Sequence, residues 1–386
     1  LYYSFSAKLP LFSYREGAIA TFSSYLCGKN EIAMKILLFC ENKYAVDILF
    51  PLQEEADREG GHEVLWFVDK RKIPDFPLRE KVAWTNSMQE CFDFSPEAVY
   101  VPGNIVPYYL PGVKIEIFHG YAAEKKDHWV IRRYFDAYFT QGPYFTEHFK
   151  RLSKKYGDFE VLETGWTRQD WIFRHKNDFE AERQELLRKY GKKEIVIYAP
   201  TFSPKLTSLP TIKQALVRLT EQRDILLLIK LHPLTRQEWV DEYRQLAEEH
   251  DNILFVSDFG VTKWMLMSDV LISDTSSTIY EFLLLRKPVI TLNAISKDIY
   301  WKNITDAADL CAAFDEVHHD EQLRKDMLWV AENYDPHLDG QCAKRMIEGA
   351  ADYIRRHGVP THRSLNLWRK YTSIKTFGRI DTSRRR

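Results

Sequence analysis

The stretch 268–293 constrains the fold of this chain more than any other. Val270, Leu271 and Ile272 form an apolar run with the character of a buried strand. The run breaks into the small polar cluster 273–277. Residues 278–285 then carry helical spacing, and 288–292 read as the next strand. Strand, polar turn, helix and strand are the parts of a parallel α/β unit. The turn presents backbone N–H groups and hydroxyls at the positive end of a helix, which suits an anion and most often a phosphate. Asp274, Thr275, Ser276 and Ser277 line it. Glu281 follows one helical turn after Ser277. A carboxylate there either accepts both hydroxyls of a ribose or lies on a solvated face with Ser277 as a plain N-cap.

The same alternation runs through most of the chain. Met34 is followed at once by an apolar strand over 36–39. Helical spacing over 44–56 follows, with strands over 63–68, 98–101, 114–118 and 136–140 and a helix over 144–155. A charged helix over 179–189 leads into a second series: strands at 194–198, 225–231 and 253–256, with helices at 212–220 and 236–249 between them. The pattern predicts two Rossmann-like α/β domains whose parallel sheets face across a cleft, with ligands beyond the carboxyl ends of the strands. The expected boundaries are an extension over 1–33, a first domain over 34–178, a second over 179–352 and a tail over 353–386. The extension is either an arm facing a membrane or sequence ahead of the true start.

Composition narrows the function. Hydrophobic residues make up 45% and charged residues 28%, the balance of a globular chain. Lys plus Arg is 54 against 55 Asp plus Glu, so no excess of positive charge points to nucleic acid. The five cysteines are scattered, without metal-ligand spacing, as in a reduced cytoplasmic protein. No metal and no cofactor is expected. No run is long enough to span a bilayer, and no signal peptide is recognised in 1–33. The tail is strongly basic: Arg369, Lys370, Lys375 and Arg379 alternate with Trp368, Tyr371 and Phe377. That mixture suits an anionic membrane surface or a solvated charged end, with nucleic acid as a third alternative.

Four other strand ends carry chemistry. His119, before Gly120, leaves a buried strand where its imidazole can move a proton or cap the loop; Gly120 lets a backbone or substrate come close, and Lys125, Lys126 and His128 add charge. In the turn 163–170, Arg168 either holds a phosphate or pairs with Asp170. Pro200 ends the strand before Thr201 and Ser203, whose hydroxyls either face the cleft or form an ordinary turn. Lys230 and His232 share one side of a strand end, where they offer two cationic or donor groups; the alternative is that Lys230 pairs with an acid of the next strand.

Taken in order, these motifs resemble the CDP-glycerol glycerophosphotransferase family of bacterial teichoic-acid and capsule synthesis. The resemblance rests on Phe118-His119-Gly120, Gly165 to Asp170, Tyr198-Ala199-Pro200-Thr201, Lys230-Leu231-His232-Pro233 and 268–290, and covers about 118–293. The family usually has Trp where Phe118 stands, Tyr at Thr275 and commonly Asp at Glu281. A Glu at that last place is more typical of nucleotide-sugar glycosyltransferases.

The resemblance implies a GT-B-type fold and transfer of glycerol phosphate, or another polyol phosphate, from a CDP-linked donor to a hydroxyl of a lipid-linked polymer or primer, releasing CMP. It implies His119 as general base. Gly120, Arg168, Thr201, Lys230, His232, Asp274, Thr275, Ser276 and Ser277 would gather around the donor, with Glu281 on its ribose. The enzyme would be cytoplasmic and peripheral at the inner face of the cell membrane, with an anionic bilayer as partner and no nucleic acid. Three alternatives stand beside it: a GT-B glycosyltransferase using a nucleotide sugar, the related sugar-nucleotide epimerase, and a non-catalytic membrane-associated assembly factor that keeps the nucleotide fold.

Overall fold

The computed structural model describes residues 33–386 apart from 122, 124, 125, 259, 362–365 and 386. The expected extension over 1–33 therefore lies almost wholly outside the described residues, as does Lys125.

Two parallel sheets organise the chain. The first holds β1 (Lys35–Cys40), β2 (Glu63–Val68), β3 (Trp84–Thr85), β4 (Ala98–Val101), β5 (Val113–Glu116), β6 (Ala137–Thr140) and β7 (Glu160–Glu163) in the order 3-2-1-4-5-6-7. The second holds β8 (Glu194–Tyr198), β9 (Ile225–Ile229), β10 (Ile253–Phe255), β11 (Val270–Ser273), β12 (Val289–Leu292) and β13 (Lys302–Ile304) in the order 10-9-8-11-12-13. Strand order reverses between β1 and β4, and again between β8 and β11. Such reversals open a crevice beyond the strand ends, because the flanking connections turn to opposite faces.

Central strands are apolar throughout. All five residues of β9 and all four of β11 are buried, as expected when helices cover both faces. The helix Tyr44–Glu59 shows the matching pattern, burying Ala45, Ile48, Leu49, Leu52 and Ala56 along one side. Each of its large aliphatic side chains contributes about 1.5–3 kcal/mol by leaving water.

Register places the candidate motifs side by side. Tyr198 lies opposite both Ile229 and Ile272, so β8, β9 and β11 end level. In the first sheet Val101 lies opposite Glu116, which carries Pro102 alongside the segment leading to His119.

The chain then returns to the first sheet. Helix Cys342–His357 packs on Tyr44–Glu59 and on β5. A Cβ on its Gly349 would sit 2.3 Å from the Leu162 side chain and 3.2 Å from the Phe139 ring, so a larger residue there would have to push both side chains aside. Helix Leu367–Phe377 covers the other face, with the Phe377 ring edge-on to Phe39 at 5.5 Å. Among the described residues no helix is long and apolar enough to cross a membrane.

Candidate active site

The first wall of the site is built around a forced turn. After β5, Ile117 still donates its N–H to Val101 O. Phe118 then adopts φ +61°, a left-handed conformation that costs a non-glycine residue about 1 kcal/mol or more. Burial offsets that strain: the Phe118 ring packs on His128 and Phe149, each at 5.0 Å. The turn throws His119 outward, so it is exposed while Phe118 is buried. His119 Nδ1 lies 2.9 Å from Pro102 O. A carbonyl can only accept, so Nδ1 carries the proton and Nε2 keeps the basic lone pair. Tyr44 stands beside the ring at 5.3 Å. At Gly120, with φ +147°, a Cβ would meet nothing within 4 Å, so the position is open as well as conformationally special. Its carbonyl accepts from Gln141 Nε2 at 2.9 Å.

The opposite wall is the level edge of β8, β9 and β11. His232 stacks on Phe202 at 4.4 Å, and its Nδ1 accepts the Leu234 N–H at 3.1 Å. Its proton therefore sits on Nε2. Partial desolvation against Phe202, with the charge of Lys230, holds this exposed imidazole below its ordinary pKa, so the neutral ring is favoured at pH 7 and offers an N–H donor. Lys230 is 6% exposed and its backbone N–H donates to Tyr198 O at 2.9 Å, while its ammonium has no hydrogen bond or ion pair among the described residues; burial lowers its pKa, opposed by Asp258.

Asp274, expected among the donor contacts, stands behind the turn instead. It is fully buried, and its carboxylate accepts the N–H groups of Thr201, Ser208 and Thr275 and the Ser208 hydroxyl, at 2.7 to 2.9 Å. It shapes the loops that Thr201 and Thr275 belong to. Ser277 holds the N-cap position of the following helix Thr278–Leu284 without a capping bond of its own, and the Ser276 hydroxyl accepts the Thr278 N–H at 3.3 Å. Thr275, Ser276 and Ser277 are half-buried at the edge.

Arg168 and Glu281 meet each other. Arg168 Nη1 lies 3.3 Å from Glu281 Oε2, and Nη2 donates to Thr262 Oγ1 at 2.5 Å. Glu281 is 5% exposed, and burial raises its pKa against the pull of Arg168. The alternative partner, Asp170, is occupied elsewhere: it accepts the N–H groups of Cys342 and Ala343, both at 2.8 Å, at the start of the returning helix. Gly165 belongs to the same packing, since a Cβ there would sit 2.6 Å from Cys342 Sγ. Beside Arg168 a cavity of about 470 Å³ opens between the halves, lined by Phe50, Leu78, Trp171, Phe179 and Trp264. Sequence reasoning missed this cavity, which follows no strand-end motif, and the Phe202 shelf, which lies within a motif that was read but shows its role only through the His232 ring stacked on it.

Residues 112–348 match the family described as CDP-Glycerol:Poly(glycerophosphate) glycerophosphotransferase. The chain is 30% identical over 161 residues to the teichoic acid ribitol-phosphate polymerase TarL of Staphylococcus aureus, covering 39% of this chain and 27% of that protein. It is 38% identical over 116 residues to a teichoic acid glycerol-phosphate primase of Bacillus spizizenii, covering 28% of each. The alignments thus span well under half of those relatives. Among solved structures, the wall teichoic acid polymerase TagF superposes with a TM-score of 0.61 at 16% identity, over 83% of this chain and 89% of that one. UDP-GlcNAc 2-epimerase from Neisseria meningitidis gives 0.60 at 15%, over 83% of this chain and all of that one. These neighbours and the two parallel-sheet halves make the fold GT-B-like.

Proposed function

The chain belongs to the CDP-glycerol:poly(glycerophosphate) glycerophosphotransferase family, and from that premise we propose that it transfers glycerol phosphate, or another polyol phosphate, from a CDP-linked donor to a hydroxyl of a lipid-linked wall polymer. The observation that carries the reading is the opposite tautomers of the two imidazoles. His119 Nε2 takes the proton of the acceptor hydroxyl. The acceptor oxygen bonds to the β-phosphorus, the bond from that phosphorus to the bridging oxygen breaks, and CMP leaves. General-base help of this kind supplies on the order of 10²–10⁴-fold. His232 Nε2–H, the Lys230 ammonium and the hydroxyls of Ser276 and Ser277 would stabilise the charge on the phosphate oxygens. Thr201 and Thr275 would border the same pocket. Glu281 would hold a ribose through the carboxylate oxygen turned away from Arg168, and Arg168 would reach a phosphate with its remaining N–H groups.

Donor screening tests the reading by its leaving group. Release of CMP from CDP-glycerol or CDP-ribitol supports it; release of a nucleoside diphosphate from a nucleotide sugar would replace it with glycosyl transfer. An absence of turnover with every activated donor, with no cell phenotype for His119→Ala, would favour the assembly-factor alternative.

A lipid-linked acceptor calls for contact with the anionic cytoplasmic face of a membrane, and helix Leu367–Phe377 offers the surface for it. Leu367 and Trp368 are 72% and 73% exposed, Tyr371 is also exposed, and Lys370 and Lys375 lie on the same short helix. Trp368→Ala with Tyr371→Ala keeps the inward Phe377 and should lose vesicle co-sedimentation. Unchanged binding would remove this role from the helix.

A further inference from the structure

The loop that carries His119 is anchored by groups for which phosphoryl transfer has no direct use. Tyr121 is fully buried; its hydroxyl donates to Asp335 Oδ2 at 2.6 Å and accepts from Gln169 Nε2 at 3.0 Å. The same Oδ2 accepts the Trp166 N–H at 3.0 Å, and Oδ1 accepts the His337 N–H at 3.1 Å. Asp335 is 0% exposed. One carboxylate thus joins the His119 loop, the Gly165 turn and the crossover that returns the chain to the first sheet. Trp166 closes the ring by donating Nε1–H to Phe118 O at 3.4 Å.

The residue before Asp335 faces the other wall. The ring of Tyr334 stacks on Tyr280 at 5.1 Å with planes 10° apart, and Tyr280 lies on the helix that begins at the phosphate turn. Tyr334 also stacks on Tyr144 at 4.9 Å. A Cβ on Gly142 would lie 2.5 Å from Tyr334 O, so backbone is pressed on backbone here. Two consecutive residues therefore touch both the phosphate-turn helix and the base loop. Holding the crossover alone would need only the His337 N–H bond. The shortest bond Asp335 makes instead goes to the loop two residues past His119.

We propose that Asp335 is a positioning residue: with Tyr334 stacked on the phosphate-turn helix, its bond to Tyr121 sets where the His119 imidazole stands relative to the donor phosphates. This rests on the reading of His119 as the base. Burial pushes the Asp335 carboxyl up to about 7, and the Tyr121 hydroxyl is the largest of the groups that pull it back toward the ionised form. The inference also gives a reason why a carboxyl group is kept in so buried a place, where each donor removed makes its burial costlier.

The test uses the full chain with Tyr121→Phe and Asp335→Asn. Two readouts are taken: steady-state CMP release from CDP-glycerol, and nitrogen-15 NMR of the histidine rings without substrate. The expected result is a fall in kcat of roughly ten- to a hundredfold with the donor KM within about twofold, because a small misplacement of a reacting group costs rate rather than binding. The His119 ring signals should shift while those of His232 stay. Folded variants with unchanged kcat and unchanged His119 signals would overturn the proposal. If Asp335→Asn fails to fold, Tyr121→Phe, which removes a single oxygen, carries the test. If His119→Ala proves fully active, the base reading falls; a shifted His119 signal in Tyr121→Phe would still uphold the positioning, and an unshifted one would end it.

Discussion

His119 and His232 each stand just past the carboxyl end of a parallel strand, one in each half of the molecule, and both rings are exposed. They differ in what reaches Nδ1. A carbonyl does so at His119, an N–H group at His232. The first is left with a basic Nε2, the second with an acidic Nε2–H. The supports differ as well. His119 rests on a strained Phe118 wedged among aromatic rings, whereas His232 rests on the stacked Phe202 and a proline turn. The same side chain in the same kind of place thus takes opposite chemistry from one backbone neighbour.

The largest expected effect would break that contrast if it failed. Glutamine keeps an N–H donor but is no base, so His119→Gln should lose about 10²–10⁴-fold in kcat while His232→Gln stays within roughly tenfold of wild type. Equal losses in steady-state CMP release would abolish the distinction between the two sites.

The next effect concerns the link between the halves. Arg168→Ala leaves the buried Glu281 without its cation, at a cost of about 3–5 kcal/mol in urea denaturation. Adding Glu281→Gln to Arg168→Met should recover much of that loss. A single Arg168→Ala variant as stable as wild type would show that the pair holds nothing together.

Glycines sharpen the comparison further. Gly165→Ala drives a methyl into Cys342 Sγ at φ +80° and should lower stability by about 1–3 kcal/mol. Gly120→Ala meets open space and should cost less in thermal unfolding, yet it should disturb turnover more, because it sits beside His119. The reverse ranking in stability would mean that the crowding at Gly165 relaxes.

The smallest effect is a pH dependence. His232 has its pKa lowered in the folded state, so the unfolded chain binds the extra proton as pH falls. Stability contributed by the neutral ring is present above the ordinary imidazole pKa, near 6.5, and is lost as pH drops through that value toward the folded one. His232→Gln should flatten this slope in denaturation between about pH 7 and 5. An unchanged slope would remove His232 as its source.

Much of the fold was legible because its signals are local. The runs in β1, β8, β9 and β11 are buried on both faces and bounded by polar turns, so apolar continuity identifies them. The edge strands β3, β7 and β13 were not read: they are two to four residues long, none is fully buried, and their ladders exist only because a neighbouring strand offers one. The strand-end motifs read in the sequence do follow the ends of β5, β8, β9 and β11. Their internal division of labour was not legible, since Asp274 looks like its hydroxyl neighbours in sequence and differs only in facing inward.

The sequence by itself determined that this chain forms two α/β halves with a phosphate-suited turn and a histidine at each of two strand ends, because periodicity and turn chemistry act over a few residues. Tertiary structure alone decided that Arg168 answers Glu281, that Asp170 caps a helix from the far end of the chain, and that Asp335 reaches Tyr121. These are contacts between segments distant in the chain. A buried charge takes whatever partner the packing brings within reach, and no local pattern encodes that choice.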